Sequence, residues 1–187
     1  LDKAATFREL NQLGLNDFSS EMIEQNQLYE MGKISSEDFV GFYANAIPKS
    51  NSEALVKAWN SILLDLPKHR LEFLQQLKEE NKYQLILLSN TNDLHISWVK
   101  ENIVDFAEFK ACFDAFYLSH EINFRKPNAD IYEFVLEKHQ LQPNEVLFID
   151  DTQENIEAAK SLGIHTWNID PSQEDIVNLF SVKAALF

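Results

Sequence analysis

The run from Val146 to His165, Val-Leu-Phe-Ile-Asp-Asp-Thr-Gln-Glu-Asn-Ile-Glu-Ala-Ala-Lys-Ser-Leu-Gly-Ile-His, constrains the fold more than any other part of this chain. Val146 to Ile149 is a short apolar run and reads as a buried strand. It ends in two adjacent acids, Asp150 and Asp151. Ile156, Ala159 and Leu162 then recur on one helical face, and Gly163 supplies a stop. A buried strand that runs straight into a helix belongs to an open α/β sheet, where ligands bind beyond the carboxyl ends of the strands. Two carboxylates side by side repel each other, and a hard divalent cation relieves that repulsion. The segment therefore predicts a Mg²⁺ site, and Mg²⁺ points to phosphate chemistry. The competing reading is a helix N-cap in which aspartate is favoured by the helix dipole alone.

The rest of the chain divides by pattern. Before residue 80 there is no convincing strand, only helical patterns separated by stops. They run from about Lys3 to Leu13, Ser19 to Met31, a start at Ser35–Asp38 closed by Pro48, Leu55 to Leu64 and Lys68 to Glu80. Ser35 with Asp38, and Ser50 with Glu53, have the spacing of helix caps. Pro67 suits a first helical turn. Strands then alternate with helices: Tyr83–Leu88, a helix at Leu94–Asn102, a strand at Phe113–Leu118, a helix at Ala129–His139, the Val146 strand and its helix, His165–Asn168, and a last helix at Ser172–Phe180. Such alternation predicts a parallel sheet with helices on both faces. The expected organisation is residues 1–14 entering a helical module, 15–78 forming that module, and 79–187 forming the α/β core.

Composition excludes some partners. The net charge of −14 argues against nucleic acid and against an anionic membrane surface. No apolar run is long enough to span a bilayer. Cys112 is the only cysteine, lies among apolar residues and reads as packing. The expectation is an acidic cytoplasmic protein, monomer or homodimer, acting on a small phosphorylated metabolite. The five histidines have no metal-ligand spacing, and His95 reads as a satisfied surface or core residue. Phe7, Phe18, Tyr29, Phe39, Phe42, Tyr43 and Trp59 fall at core-like helical spacing. The tail Val182–Phe187 is expected to close the core.

Two more strand ends carry polar chemistry. The Leu85–Leu88 strand runs into Ser89-Asn90-Thr91-Asn92, whose side chains and N–H groups can donate to phosphate oxygens. The Phe113–Leu118 strand leads to Phe124-Arg125-Lys126-Pro127, which places Lys126 beside a proline before a helix. An ammonium there neutralises phosphate.

In this order the motifs resemble those of the haloacid dehalogenase superfamily of hydrolases, over nearly the whole chain. Ser89-Asn90 resembles that family's second motif, Lys126 the third, and Asp150-Asp151 with Asn155 the fourth. The helices before residue 80 resemble its helical cap. The resemblance implies a Rossmann-like α/β fold and, in the phosphatase branch, Mg²⁺-dependent hydrolysis of a phosphomonoester such as a sugar phosphate through an aspartyl-phosphate. It implies Ser89, Lys126 and Asp151 as catalytic residues. It also implies Ser89, Asn90 and Lys126 as phosphate or substrate ligands, and Asp151 with Asp150 as cation ligands. The family's first motif, a strand ending in the nucleophilic aspartate, has no counterpart here: Asp2 has no strand before it, and Asp17 and Asp65 lie in helical context. A further segment of about 10–20 residues, a strand and a turn, is expected ahead of Leu1. The alternatives are a 2-haloacid dehalogenase, which needs no metal, and a non-catalytic phospho-ligand binder or inactive fragment of the same fold.

Overall fold

The computed structural model describes residues 1–187, which divide into two compact units, Leu1–Asn123 and Phe124–Phe187. The division falls inside the region that the sequence pattern assigns to a single α/β core. The first unit begins with α1 (Ala5–Gln12), α2 (Ser20–Glu30), α3 (Ser36–Ala46), α4 (Ser52–Asn60) and α5 (Lys68–Glu80). It continues with β1 (Ile86–Ser89), α6 (Asp93–Asn102), α7 (Phe106–Ala111), β2 (Ala115–Leu118) and the single turn α8 (Ser119–Ile122).

Local chemistry sets these boundaries. The Ser19 and Ser35 side chains each accept a hydrogen bond from a backbone N–H three residues on, which caps α2 and α3. At α4 the cap is Asn51, one residue later than expected, accepting from Ala54 N–H at 2.8 Å. Ser50 instead turns back and donates to the Ile47 carbonyl. Gly32 ends α2 at φ +63°, and a Cβ there would stand 2.1 Å from the His120 carbonyl oxygen. Only glycine lets α2 approach α8 this closely. Asn123 adds a bond across the same approach, Nδ2 to the Met31 carbonyl at 2.8 Å.

The core of the helical module is aromatic. Phe39 stacks on Tyr29 at 4.2 Å and meets Trp59 edge-on at 4.7 Å. Leu10, Leu55 and Tyr43 close around them. Each such aromatic pair adds about 0.5–1.5 kcal/mol beyond area burial. α1 packs on α4, and Leu10 of α1 lies in this core.

β1 and β2 pair in parallel, from Ile86 with Ala115 to Ser89 with Leu118. The ladder starts later than the apolar run suggests, because the Asp114 carboxylate takes the Leu85 N–H at 2.9 Å. α7 was not expected. Its Phe106 and Phe109 pack edge-on against Phe116.

The second unit holds α9 (Ala129–His139), β3 (Leu147–Asp150), α10 (Gln153–Ser161), β4 (His165–Asn168) and the short α11 (Leu179–Val182). β3 and β4 pair in parallel, Leu147 with His165 through Asp150 with Asn168. α10 packs on both strands with Ile156 and Ala159 buried. The strand runs that read as buried, β1 and β3, are half-buried, each paired along one edge. The expected helix at Ser172–Phe180 is replaced by a turn of 3₁₀ helix at Ile176–Asn178 leading into α11. The Asp175 side chain caps that turn and restarts the chain there. The tail is not closed into the core: Val182, Leu186 and Phe187 are exposed, and Phe187 meets Phe180 edge-on.

Candidate active site

Lys126, Asp150, Asp151 and Asn155 meet in the second unit. Asp150 is the last residue of β3, and its side chain turns toward Lys126. The Lys126 ammonium donates to Asp150 Oδ2 at 2.7 Å, and both side chains are only 8% exposed. Asp150 Oδ1 accepts from Thr152 N–H at 2.8 Å and Asn155 Nδ2 at 3.0 Å. Asn155 is itself fixed, since its carbonyl accepts from the Tyr132 hydroxyl at 2.8 Å. Tyr132 in turn meets Phe148 edge-on, and the Lys126 ammonium lies 5.4 Å from the centre of that Phe148 ring. Burial pushes the Asp150 carboxyl up. The Lys126 charge and the three hydrogen bonds outweigh it and hold the group below the ordinary carboxylate range. A buried ammonium is thus pinned at the carboxyl end of a strand by a carboxylate that stays ionised.

Asp151 differs from its neighbour. It is exposed, and Thr152 Oγ1 approaches its Oδ1 at 3.4 Å. No group of three or more His, Cys, Asp or Glu side chains gathers to hold a metal anywhere in the structure. Among the described residues, the Asp150–Asp151 pair supplies the adjacent carboxylates that could face a cation at this strand end. Mg²⁺ is bound in that way, by one or two carboxylates with water and phosphate filling the shell, whereas structural zinc draws its shell from several side chains. The residues present fit Mg²⁺. Asp150 already serves three donors, and the exposed carboxylate of Asp151 stands directly after it in the chain.

Ser89 and Asn90 lie in the first unit, at the end of β1. The following residue is locked: Ser119, fully buried at the start of α8, accepts from Thr91 N–H at 2.9 Å and donates to the Thr91 carbonyl at 3.0 Å. Asn92, 1% exposed, caps α6 by accepting from His95 N–H. The loop 89–92 is therefore held at its far end by two reciprocal side-chain contacts. Sequence reasoning missed Ser119, whose only signal was a small hydroxyl directly after a strand. It also missed the role of Asp150 as the partner of Lys126. Asp2, with no strand before it, is half-buried and paired with Arg8 at 3.1 Å. Cys112 is buried beside the Glu108 carbonyl, as its apolar neighbours predict.

Residues 4–163 match the family of haloacid dehalogenase-like hydrolases. The chain belongs to this family. The chain is therefore a haloacid dehalogenase-like hydrolase, and its parallel α/β elements are those of the family's Rossmann-like fold. It is similar to a family enzyme from Bacteroides thetaiotaomicron crystallised as a magnesium complex, with 32% identity, TM-score 0.84, and coverage of 96% of this chain and 91% of that one. It is also similar to a family hydrolase from Porphyromonas gingivalis, with 25% identity, TM-score 0.80, and coverage of 97% and 90%. Among curated proteins, the D-ribitol-5-phosphate phosphatase of Bacteroides thetaiotaomicron is 26% identical over 175 residues, 89% of this chain and 84% of that protein.

Proposed function

We propose that this hydrolase cleaves small phosphomonoesters, with phosphorylated polyols and sugars as the substrate class, and that it depends on Mg²⁺. The observation that carries the proposal is the buried Lys126–Asp150 pair at 2.7 Å beside the exposed carboxylate of Asp151. An ammonium carries three N–H donors, so a lysine bound to one carboxylate has the donor chemistry that suits the non-bridging oxygens of a phosphoryl group. Asp150 orients Lys126. Asn155 and Thr152 hold Asp150 in that orientation.

Asp151, with Asp150 beside it, would hold Mg²⁺, which when bound supplies neutralising charge to the phosphoryl oxygens. In the first unit, Ser89 and Asn90 carry a hydroxyl and a carboxamide, donors of the kind a phosphoryl group accepts. The family resemblance adds an aspartate nucleophile and an aspartyl-phosphate intermediate, a covalent route that divides one difficult displacement into two. No aspartate among residues 1–187 is assigned to that step. The substrate class is supported by the ribitol-phosphate phosphatase relative. The cation and phosphate are supported by the Bacteroides family enzyme, a variant of which was crystallised with magnesium and inorganic phosphate.

The test is turnover of phosphorylated polyols by Lys126→Ala and Asp151→Asn against the unaltered protein. Both variants are expected to lose at least about a hundredfold in kcat while keeping the far-ultraviolet circular dichroism of the parent. Undiminished turnover in either would remove these residues from the site.

A further inference from the structure

Three consecutive residues at the start of α6 are each bonded to a different helix of the α1–α4 module. The Asp93 carboxylate accepts from Ser36 Oγ at the start of α3, at 3.0 Å. The Leu94 N–H donates to the Tyr29 hydroxyl of α2, at 3.1 Å, and Tyr29 and Ser36 hydrogen-bond to each other at 2.7 Å. The His95 imidazole Nε2 lies 3.2 Å from the Trp59 carbonyl of α4, and the ring stacks on the Trp59 indole at 5.7 Å and 18°. These residues follow directly on the loop Ser89–Asn92.

The His95 contact fixes more than its own ring. Asn92 Oδ1 accepts from the His95 N–H at 3.0 Å, so the Asn92 amide nitrogen is the atom that faces the imidazole, 3.1 Å from Nδ1. An NH₂ group donates, so Nδ1 must accept. The ring proton then sits on Nε2, where it donates to the Trp59 carbonyl. One neutral tautomer satisfies all three contacts at once. The imidazolium would set an N–H against the Asn92 NH₂.

We propose that His95 is a positioning residue for the phosphate-binding loop: as the Nε2–H tautomer it orients Asn92 and couples the Ser89–Asn92 loop to α4. The loop and the helices of the α1–α4 module then move as one body, and the distance between them is set by this ring. Burial acts in the same direction, pushing the His95 imidazole down to about 4, with the Trp59 carbonyl offsetting only part of the shift. The proposal rests on the reading of Ser89–Asn92 as a phosphate-binding loop.

The experiment compares the full chain with His95→Leu and His95→Gln by nuclear magnetic resonance and by kinetics. Long-range proton–nitrogen spectra of the unaltered protein at neutral pH should show His95 protonated on Nε2 alone. The Ser89–Asn92 amide resonances should move in His95→Leu and return toward the parent in His95→Gln, which keeps an N–H donor for Trp59. With para-nitrophenyl phosphate and Mg²⁺, His95→Leu should lower kcat about tenfold with KM changed less than about twofold, the size of effect one lost orienting hydrogen bond gives. His95→Gln should recover most of that loss. The Nδ1 tautomer, or loop amides that do not move in His95→Leu, would overturn the coupling. A His95→Leu protein that merely melts earlier, with kcat and KM intact, would reduce His95 to a packing residue and overturn it equally. Loop amides that move as expected, in a parent protein that hydrolyses no phosphomonoester, would support the coupling and refute the phosphatase reading instead.

Discussion

Replacing Lys126 with methionine removes the charge of the buried pair and keeps the length of the stem. Asp150 is then left ionised with its side chain 8% exposed. Stranding one member of a buried pair costs about 3–5 kcal/mol. Two donors remain on Asp150, from Thr152 and Asn155, and they place the expected cost at the lower end, about 3 kcal/mol. With a urea dependence of about 2 kcal/mol per molar, the unfolding midpoint should fall by about 1.5 M at neutral pH. The pH dependence has a definite sign. In the parent, burial raises the Asp150 carboxyl, and the Lys126 charge leads the influences that bring it back down. Without Lys126 the carboxyl moves up from its place in the parent, so the folded variant takes up a proton more readily than the folded parent. The deficit relative to the parent should therefore be largest at neutral pH and shrink as the pH falls through the raised value. Adding Asp150→Asn to Lys126→Met removes the stranded charge and should recover most of the loss at neutral pH. The assay is urea unfolding followed by circular dichroism at several pH values. A deficit below about 0.5 kcal/mol, the size of an ordinary surface change, would refute the buried-pair reasoning, as would a deficit that grows on acidification.

Three other outcomes follow from the same geometry. The neutral His95 imidazole, pushed from 6.5 to about 4, stabilises the fold fully above about pH 6.5. That contribution, about 3 kcal/mol, is lost as the pH falls toward 4, and thermal melts of His95→Gln across this window should lack that part of the slope. Ser119→Ala leaves the buried Thr91 N–H without its acceptor, so it should cost about 1–3 kcal/mol and speed amide exchange at Thr91. Gly32→Ala drives a Cβ to 2.1 Å from the His120 carbonyl oxygen and strains φ at +63°, so it should lower stability by about 1–3 kcal/mol in a denaturant melt.

Elements with strong local punctuation were legible in the sequence. α5 and α9 begin and end where the pattern places them, at Lys68–Glu80 and Ala129–His139, because Pro67 sits at the start of one and an αL residue ends each. Errors arose where a distant side chain decides the outcome. β1 begins at Ile86 because Asp114, 29 residues away in sequence from Leu85, takes the Leu85 N–H. α7 is six residues long, and its phenylalanines read equally well as part of a strand. At the candidate site, residue types and strand ends announced Lys126, Asp150 and Asp151, but not how the acids divide. Asp150 and Asp151 look alike in sequence, and only the folded chain brings Lys126 and Asn155 onto the first and leaves the second exposed. The Thr91–Ser119 and His95–Trp59 contacts join residues 28 and 36 positions apart, and no local pattern encodes them.

The central claim is tested most directly by incubating the protein with a phosphorylated five-carbon polyol and measuring inorganic phosphate, with Mg²⁺ present and after its removal by a chelator. The account predicts phosphate release that disappears on chelation, returns when Mg²⁺ is restored, and is absent in Asp151→Asn under both conditions. Release that is indifferent to chelation, or equal in Asp151→Asn, would contradict it.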